Sequence, residues 1–168
     1  MQSAARLGSL ANDRSPTMTH PPLTCIDATG ADAAPVPLTH GEALHTAFRP
    51  NLAGRYAAMM PVILDEGARL TFLVDEGEVR ALALWRYFHT TYAGYRLEVD
   101  DLVTDESQRS KGYGATLLTW IEAQAAEMGC DVVTLNSATH RAEAHRFYFR
   151  QRYGVFAFHF VKALRRAR

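Results

Sequence analysis

Residues 101–118 read DLVTDESQRSKGYGATLL, and this stretch decides the fold. Leu102, Val103 and Thr104 end a strand, a polar loop follows, and a glycine-punctuated turn opens a helix. The helix is predicted from Gly112 onward. Ala115, Leu117, Leu118, Ile121, Ala125 and Met128 form one apolar stripe at helical spacing, and Gly129 stops it. At a helix start several amides have no intrahelical acceptor, and they carry the positive end of the macrodipole. Gly112 and Gly114 remove side chains where a bulky anion must approach the backbone. Arg109 and Lys111 add charge at the same place. The backbone from Arg109 to Gly114 is therefore predicted to cradle a diphosphate.

Working outward, strand signals dominate upstream. Leu70–Val74 and Val79–Phe88 are apolar runs separated by the turn residues Asp75, Glu76 and Gly77. Tyr95, Leu97 and Val99 alternate with Arg96, Glu98 and Asp100, as a half-buried strand should. These three strands predict an antiparallel meander. Farther upstream, Leu23–Ile26 reads as a first strand. Ala43, Leu44, Ala47 and Phe48 read as a helix behind Thr39 as N-cap, ended by Pro50. A second helix is predicted from Leu52 to Leu64, interrupted near Pro61 and stopped at Gly67. Downstream, DVVTLN (131–136) reads as a buried strand, His140–Arg150 as a helix and Tyr153–Val161 as a final aromatic strand. The expected fold is α/β: a single domain with a mixed, mostly antiparallel sheet flanked by helices.

Composition narrows the function. The chain has 168 residues, enough for one domain with a proper core. Eighteen basic residues balance eighteen acidic ones, which argues against a nucleic-acid or membrane-surface partner. The basic cluster Arg165, Arg166 and Arg168 reads as a solvated tail. Cys25 and Cys130 form no CxxC pair, so neither a disulfide framework nor a cysteine-rich zinc site is expected. A reducing, cytoplasmic location fits that usage. No apolar run approaches the roughly eighteen residues that span a bilayer, and the first residues lack the apolar core of a signal peptide. Residues 1–21 read as a flexible N-terminal extension, with Met18 as an alternative start, and 22–168 as the folded domain. No metal site is expected: HExxH is absent, and His140 and His145 are spaced poorly for one helix face.

Two other phosphate-binding patterns can be set aside. The P-loop string GxxxxGK[ST] is absent, and Gly112, Gly114 and Leu117 miss the third small residue of a Rossmann fingerprint. Arg109-Ser110-Lys111-Gly112-Tyr113-Gly114 instead resembles the Q/R-x-x-G-x-G/A signature of the GCN5-related N-acetyltransferase (GNAT) superfamily. Asp100–Asp105 is similar to that family's fourth strand and its exit, and Ala144-His145-Arg146-Phe147-Tyr148 to its A-x-x-F-Y segment. The resemblance covers roughly residues 36–164. Departures are Arg152, where a glycine often precedes an aromatic, and Glu106, where proline is common.

The resemblance implies acetyl-CoA as co-substrate and direct acetyl transfer to a primary amine. The amides of Arg109, Ser110, Lys111, Gly112, Tyr113, Gly114 and Ala115 would hold the pyrophosphate. The backbone of Leu102, Val103 and Thr104 would pair with the pantetheine arm, which needs the fourth and fifth strands to splay apart. Asn136 would reach the arm or the acceptor, or simply cap a loop. His145 and Arg146 would lie near the cofactor phosphates. Tyr148 would protonate the leaving thiolate; its alternative role is a packed core aromatic.

A base or cation-attracting group is sought among Glu98, Asp100 and Asp101. Alternation puts Glu98 and Asp100 on one face and Asp101 on the other. Three charges on a central strand are costly unless a cleft solvates them, so at least one is expected to face the acceptor. Trp85, Tyr87, Phe88 and Tyr92 could wall that pocket or pack the core. The acceptor's identity stays open, and the aromatic last strand leaves pairing across a homodimer open. A non-catalytic acyl-CoA-binding module and a nucleotide-binding α/β protein are the competing readings.

Overall fold

Strand β1 (Thr24–Asp27) pairs antiparallel with β2 (Arg69–Asp75), β2 with β3 (Glu78–Thr90), and β3 with β4 (Gly94–Thr104). Strand β5 (Val132–Leu135) adds parallel to β4, so the sheet order is β1-β2-β3-β4-β5. The computed structural model describes residues 24–27 as backbone and residues 37–164 with side chains. The expected extension over 1–21 and the Arg165, Arg166, Arg168 cluster lie outside the described residues. The sheet is mixed, mostly antiparallel and flanked by helices, as the sequence implied. The meander forms because Glu76 and Gly77 both adopt positive φ, the two-residue turn whose twist matches its strands.

Each face of the sheet is covered. Leu70, Phe72, Leu82, Leu84 and Val103 pack with Tyr56 and Met60 of α2 (Tyr56–Asp65), and α1 (Glu42–Phe48) leans on the same layer. On the opposite face Ala81, Ala83, Trp85, Leu97 and Val99 pack against Leu117, Ile121 and Ala125 of α3 (Tyr113–Glu127). Burying each large apolar side chain contributes about 1.5–3 kcal/mol. Trp85 donates its indole N–H to Thr71 Oγ1 at 3.0 Å, which satisfies the polar atom of a fully buried ring.

Several expectations are corrected. Thr39 does not cap α1. It lies inside a 3-10 turn over Leu38–Gly41, closed by the His40 amide on the Pro37 carbonyl, and Gly41 precedes the helix. Pro61 does not interrupt α2, which runs through it from Tyr56 to Asp65, although its missing N–H leaves the Ala57 carbonyl without that helical donor. No strand forms over Tyr153–Val161: that segment follows α4 (Ala142–Arg150) as irregular chain. A strand is defined by its ladder, and no neighbour among the described residues supplies one.

The alternation along β4 also breaks. Asp101 pairs with Leu84 and Val99 with Trp85, so Asp100 is an extra residue, a β-bulge. Leu97 and Val99 face α3, whereas Val103 faces the α2 layer. The bulge therefore flips the parity, and Asp101 joins Val103 and Glu98 on the α1 side. Glu98 and Asp100 do not share a face in the simple way alternation implied.

Candidate functional site

The β4–β5 ladder ends at Val99 and Leu135, while β4 runs on to Thr104. Leu102, Val103 and Thr104 pair with β3 on one side and, among the described residues, have no strand on the other. Strand β5 stops at Leu135 while β4 runs on with an open edge. At that fork lies a crevice of about 390 Å³. It is lined by Phe48 and Arg49 from the end of α1, by Val99, Asp100 and Leu102 from β4, and by Asn136 beyond β5. His140, Arg141 and Tyr148 of the α4 region complete it.

The turn entering α3 lies just beyond β4. Ser110 has φ +68° and Gly112 φ +87°, so the chain alternates through the left-handed region and aims successive amides outward. Thr116 donates the first helical bond, to the Gly112 carbonyl at 2.9 Å. Among the described residues, the amides of Ser110 through Ala115 have no acceptor in the chain. The Arg109 amide differs, since it reaches the Glu106 carbonyl at 3.4 Å. This run of unengaged donors beside an open strand edge fits a diphosphate on an extended arm.

The two glycines act differently from one another. A Cβ at Gly112 would meet open space, so its conformation is what excludes other residues. A Cβ at Gly114 would sit 3.0 Å from Thr104 Oγ1 and 3.8 Å from Phe147. Its missing side chain serves the packing of α3 on β4 and α4 rather than approach of an anion. The cations beside the turn are exposed: Arg109 pairs with Glu106 at 3.1 Å, and Lys111 donates to Gln108 at 2.6 Å.

The three carboxylates of β4 have distinct surroundings. Asp101 is turned to α1, where His45 Nε2 lies 2.9 Å from one oxygen and Arg49 Nε donates to the other at 2.9 Å. Burial alone would push its carboxyl up, but the hydrogen bonds and charges of His45 and Arg49 outweigh that and hold it below the usual range. Asp100 is among the residues lining the crevice, and its carboxylate accepts from Arg86 Nε at 2.8 Å. Glu98 is gripped by Arg96 and accepts from Asn136 Nδ2 at 2.8 Å, which fixes Asn136 at the fork.

Tyr148 lines the crevice from α4. Burial and the nearby Asp101 charge push its phenol above the ordinary tyrosine value, against the opposing pull of Arg141. The phenol therefore stays protonated at neutral pH and can donate. His145 instead ties its Nε2 to the Ala138 carbonyl at 3.0 Å, holding the β5–α4 loop. Trp85 is core, Tyr87 holds Arg69, and Phe88 and Tyr92 stack on Arg96; none lines the crevice.

Sequence reasoning did not find Arg49, Arg141 or the structural His45. The Arg141 guanidinium lies over the Phe48 ring at 4.7 Å, and no carboxylate pairs with it among the described residues. Only the chain crossing from α1 to α4 brings these groups together, and no local pattern encodes that.

Known proteins agree with this geometry. The family model described as the Acetyltransferase (GNAT) family matches residues 40–154. An aminoalkylphosphonate N-acetyltransferase of Salmonella typhimurium is 31% identical over 128 residues, covering 76% of this chain and 79% of that protein. Among solved structures, a transcriptional regulator from Bacillus halodurans superposes with a TM-score of 0.67 at 20% identity, covering 84% of this chain and 99% of that one. A GNAT family acetyltransferase of Staphylococcus aureus superposes with a TM-score of 0.55 at 20% identity, covering 66% and 76% of the two chains. With the amide cradle, the forked strands and these matches together, the chain belongs to the GNAT family and is an acetyltransferase.

Proposed function

We propose that the protein transfers the acetyl group of acetyl-CoA to a primary amine whose molecule also carries an anionic group. The single observation that carries this reading is the run of unengaged amides from Ser110 to Ala115 at the mouth of the β4–β5 fork. Those amides would bind the pyrophosphate, with Lys111 and Arg109 adding charge, and Leu102–Thr104 would pair with the pantetheine arm. Acetyl-CoA supplies the activated thioester carbonyl.

The chain's own residues then perform three tasks. Asp100, a lining residue of the crevice whose carboxylate is paired with Arg86, attracts the ammonium and takes its proton directly or through water. The free amine attacks the carbonyl, a C–N bond forms and the C–S bond breaks. Tyr148 gives its phenolic proton to the departing sulfur, and the acylated nitrogen loses its extra proton to the phenolate, so the neutral amide and thiol leave. Asp101, locked between His45 and Arg49, acts by positioning α1 rather than by proton transfer.

Arg141 supports the anionic acceptor: it lines the crevice and has no carboxylate partner among the described residues, whereas Arg49, which also lines it, is already paired with Asp101. A guanidinium fork suits a phosphonate, phosphate or carboxylate. The Salmonella relative's name specifies an aminoalkylphosphonate, which joins an amine to such an anion.

Thiol release from acetyl-CoA over an amine panel tests the reading. Aminoalkylphosphonates and amino acids should turn over faster than plain alkylamines. Equal rates for all three would remove the anion requirement. Calorimetry with CoA and with ATP tests the cradle, and tight ATP binding without CoA binding would overturn the assignment.

A further inference from the structure

The last residue of α1 sits beneath two cations. The Arg49 guanidinium carbon lies over the Phe48 ring, 4.5 Å from its centroid, and that of Arg141 lies over the same ring at 4.7 Å. A cation over an aromatic face is attracted by the ring's negative quadrupole. One ring therefore keeps two like charges close together, at a crevice that Phe48, Arg49 and Arg141 all line.

The two cations are held there by different means. Arg49 gives its Nε and Nη2 donors to Asp101, which buried His45 fixes from the other side. Its charge is already answered by a carboxylate. Arg141 has no carboxylate partner, and its guanidinium donates to no acceptor among the described residues. Its backbone is nevertheless anchored at the start of α4. The Arg141 amide donates to the Ala138 carbonyl at 3.0 Å, and its carbonyl accepts from the His145 amide at 3.1 Å. A contact with a ring face uses up no N–H group. Arg141 is thus ordered while its planar fork of donors stays available. Ordering a long side chain is part of the cost of binding, so a guanidinium ordered in advance takes up an anion more tightly. The platform is itself held in place: Phe48 is half-buried against the α2-side core, with Leu44 one turn earlier on α1 packed on the same layer.

We propose that Phe48 sets the preference for anionic acceptors, its ring being the platform that positions Arg141 for the acceptor's anion. Phe48 is a positioning residue: it acts through Arg141 and not on the reacting atoms. The inference rests on the proposed function, in which Arg141 binds that anion, and adds what makes the guanidinium ready for it. Leucine at this place would keep apolar bulk and lose the aromatic face. Tyrosine would keep both.

Steady-state kinetics on the full chain with a matched pair of acceptors, aminomethylphosphonate and methylamine, tests this. The readout is the ratio of kcat/KM for the phosphonate to that for the plain amine. Phe48→Leu should lower the ratio about fivefold, through the KM of the phosphonate, which is the size of one cation–π contact. Phe48→Tyr should hold it near the wild-type value. In an Arg141→Ala background Phe48→Leu should lower it no further, because the platform then has nothing to position. A ratio unmoved by Phe48→Leu but lowered by Arg141→Ala overturns the platform and leaves the anion reading standing. A wild type without preference for the phosphonate, indifferent to Arg141→Ala, sinks both. Equal losses for the two acceptors in Phe48→Leu, persisting without Arg141, would make Phe48 a packing residue and also overturn the proposal.

Discussion

The two parts of the proposed site are made of different materials. The proposed cradle is backbone: amides from one contiguous turn, Ser110 to Ala115, aimed by positive φ at Ser110 and Gly112. The proposed acceptor side is the crevice and its side chains: Asp100 from β4, Arg49 from α1, and Arg141 and Tyr148 from the α4 region. A backbone site tolerates side-chain change and fails through conformation. A side-chain site fails through single atoms. The difference teaches where specificity can vary without loss of the donor site, and substitutions at each end should behave accordingly.

The largest effect is expected from Tyr148→Phe. General-acid assistance is worth on the order of 10²–10⁴-fold, so turnover should fall by that range while CoA affinity by calorimetry holds. Equal losses in turnover and affinity would instead make Tyr148 a packing residue. The raised phenol pKa adds that an alkaline loss of rate owed to Tyr148 should appear only above the ordinary tyrosine value near 10.

Next comes Asp101→Ala, which strands buried His45 and half-exposed Arg49. Removing one partner of such a cluster costs about 3 kcal/mol, readable by urea unfolding. The sign with pH follows from the depressed carboxyl. The folded state binds this proton more weakly than the unfolded chain does. Its contribution is therefore complete above the unfolded value of 3.8 and is lost as pH falls through the lower folded value. Stability of the wild type should drop on acidification below about pH 4, and the variant should lose that component.

Arg141→Ala is expected to raise KM for an anionic acceptor by roughly tenfold with kcat little changed, as loss of one charge-assisted hydrogen bond implies. A neutral amine should show no such change. The smallest effect belongs to the backbone end. Gly112→Ala meets no steric obstacle but must hold φ +87°, at a cost of about 1 kcal/mol. CoA affinity should weaken about fivefold, with acceptor KM unchanged.

What the sequence made legible follows the same division. The cradle was readable because a strand exit, a glycine pair and an amphipathic stripe lie within one short stretch. The meander was readable because its turns carry their own chemistry. The bulge at Asp100 was not, since nothing in the Arg96, Glu98, Asp100 alternation announces an inserted residue. Nor was the bond from His45 to Asp101, whose partners are 56 residues apart. The apolar pattern of Tyr153–Val161 was recognised, but a strand needs a neighbour, and among the described residues none pairs with that segment.

The absent methyl at Gly114 has a consequence of its own. Thr104, at the tip of the open strand edge, nearly touches the first turn of α3, and Phe147 closes the same gap one residue before Tyr148. On the proposed function, the phosphate cradle and Tyr148 are thereby joined through one packed contact of α3 with Thr104 and Phe147. That contact would set the reach demanded of the donor. A thioester on a shorter arm than pantetheine would remain gripped at one end and stop short of the tyrosine at the other.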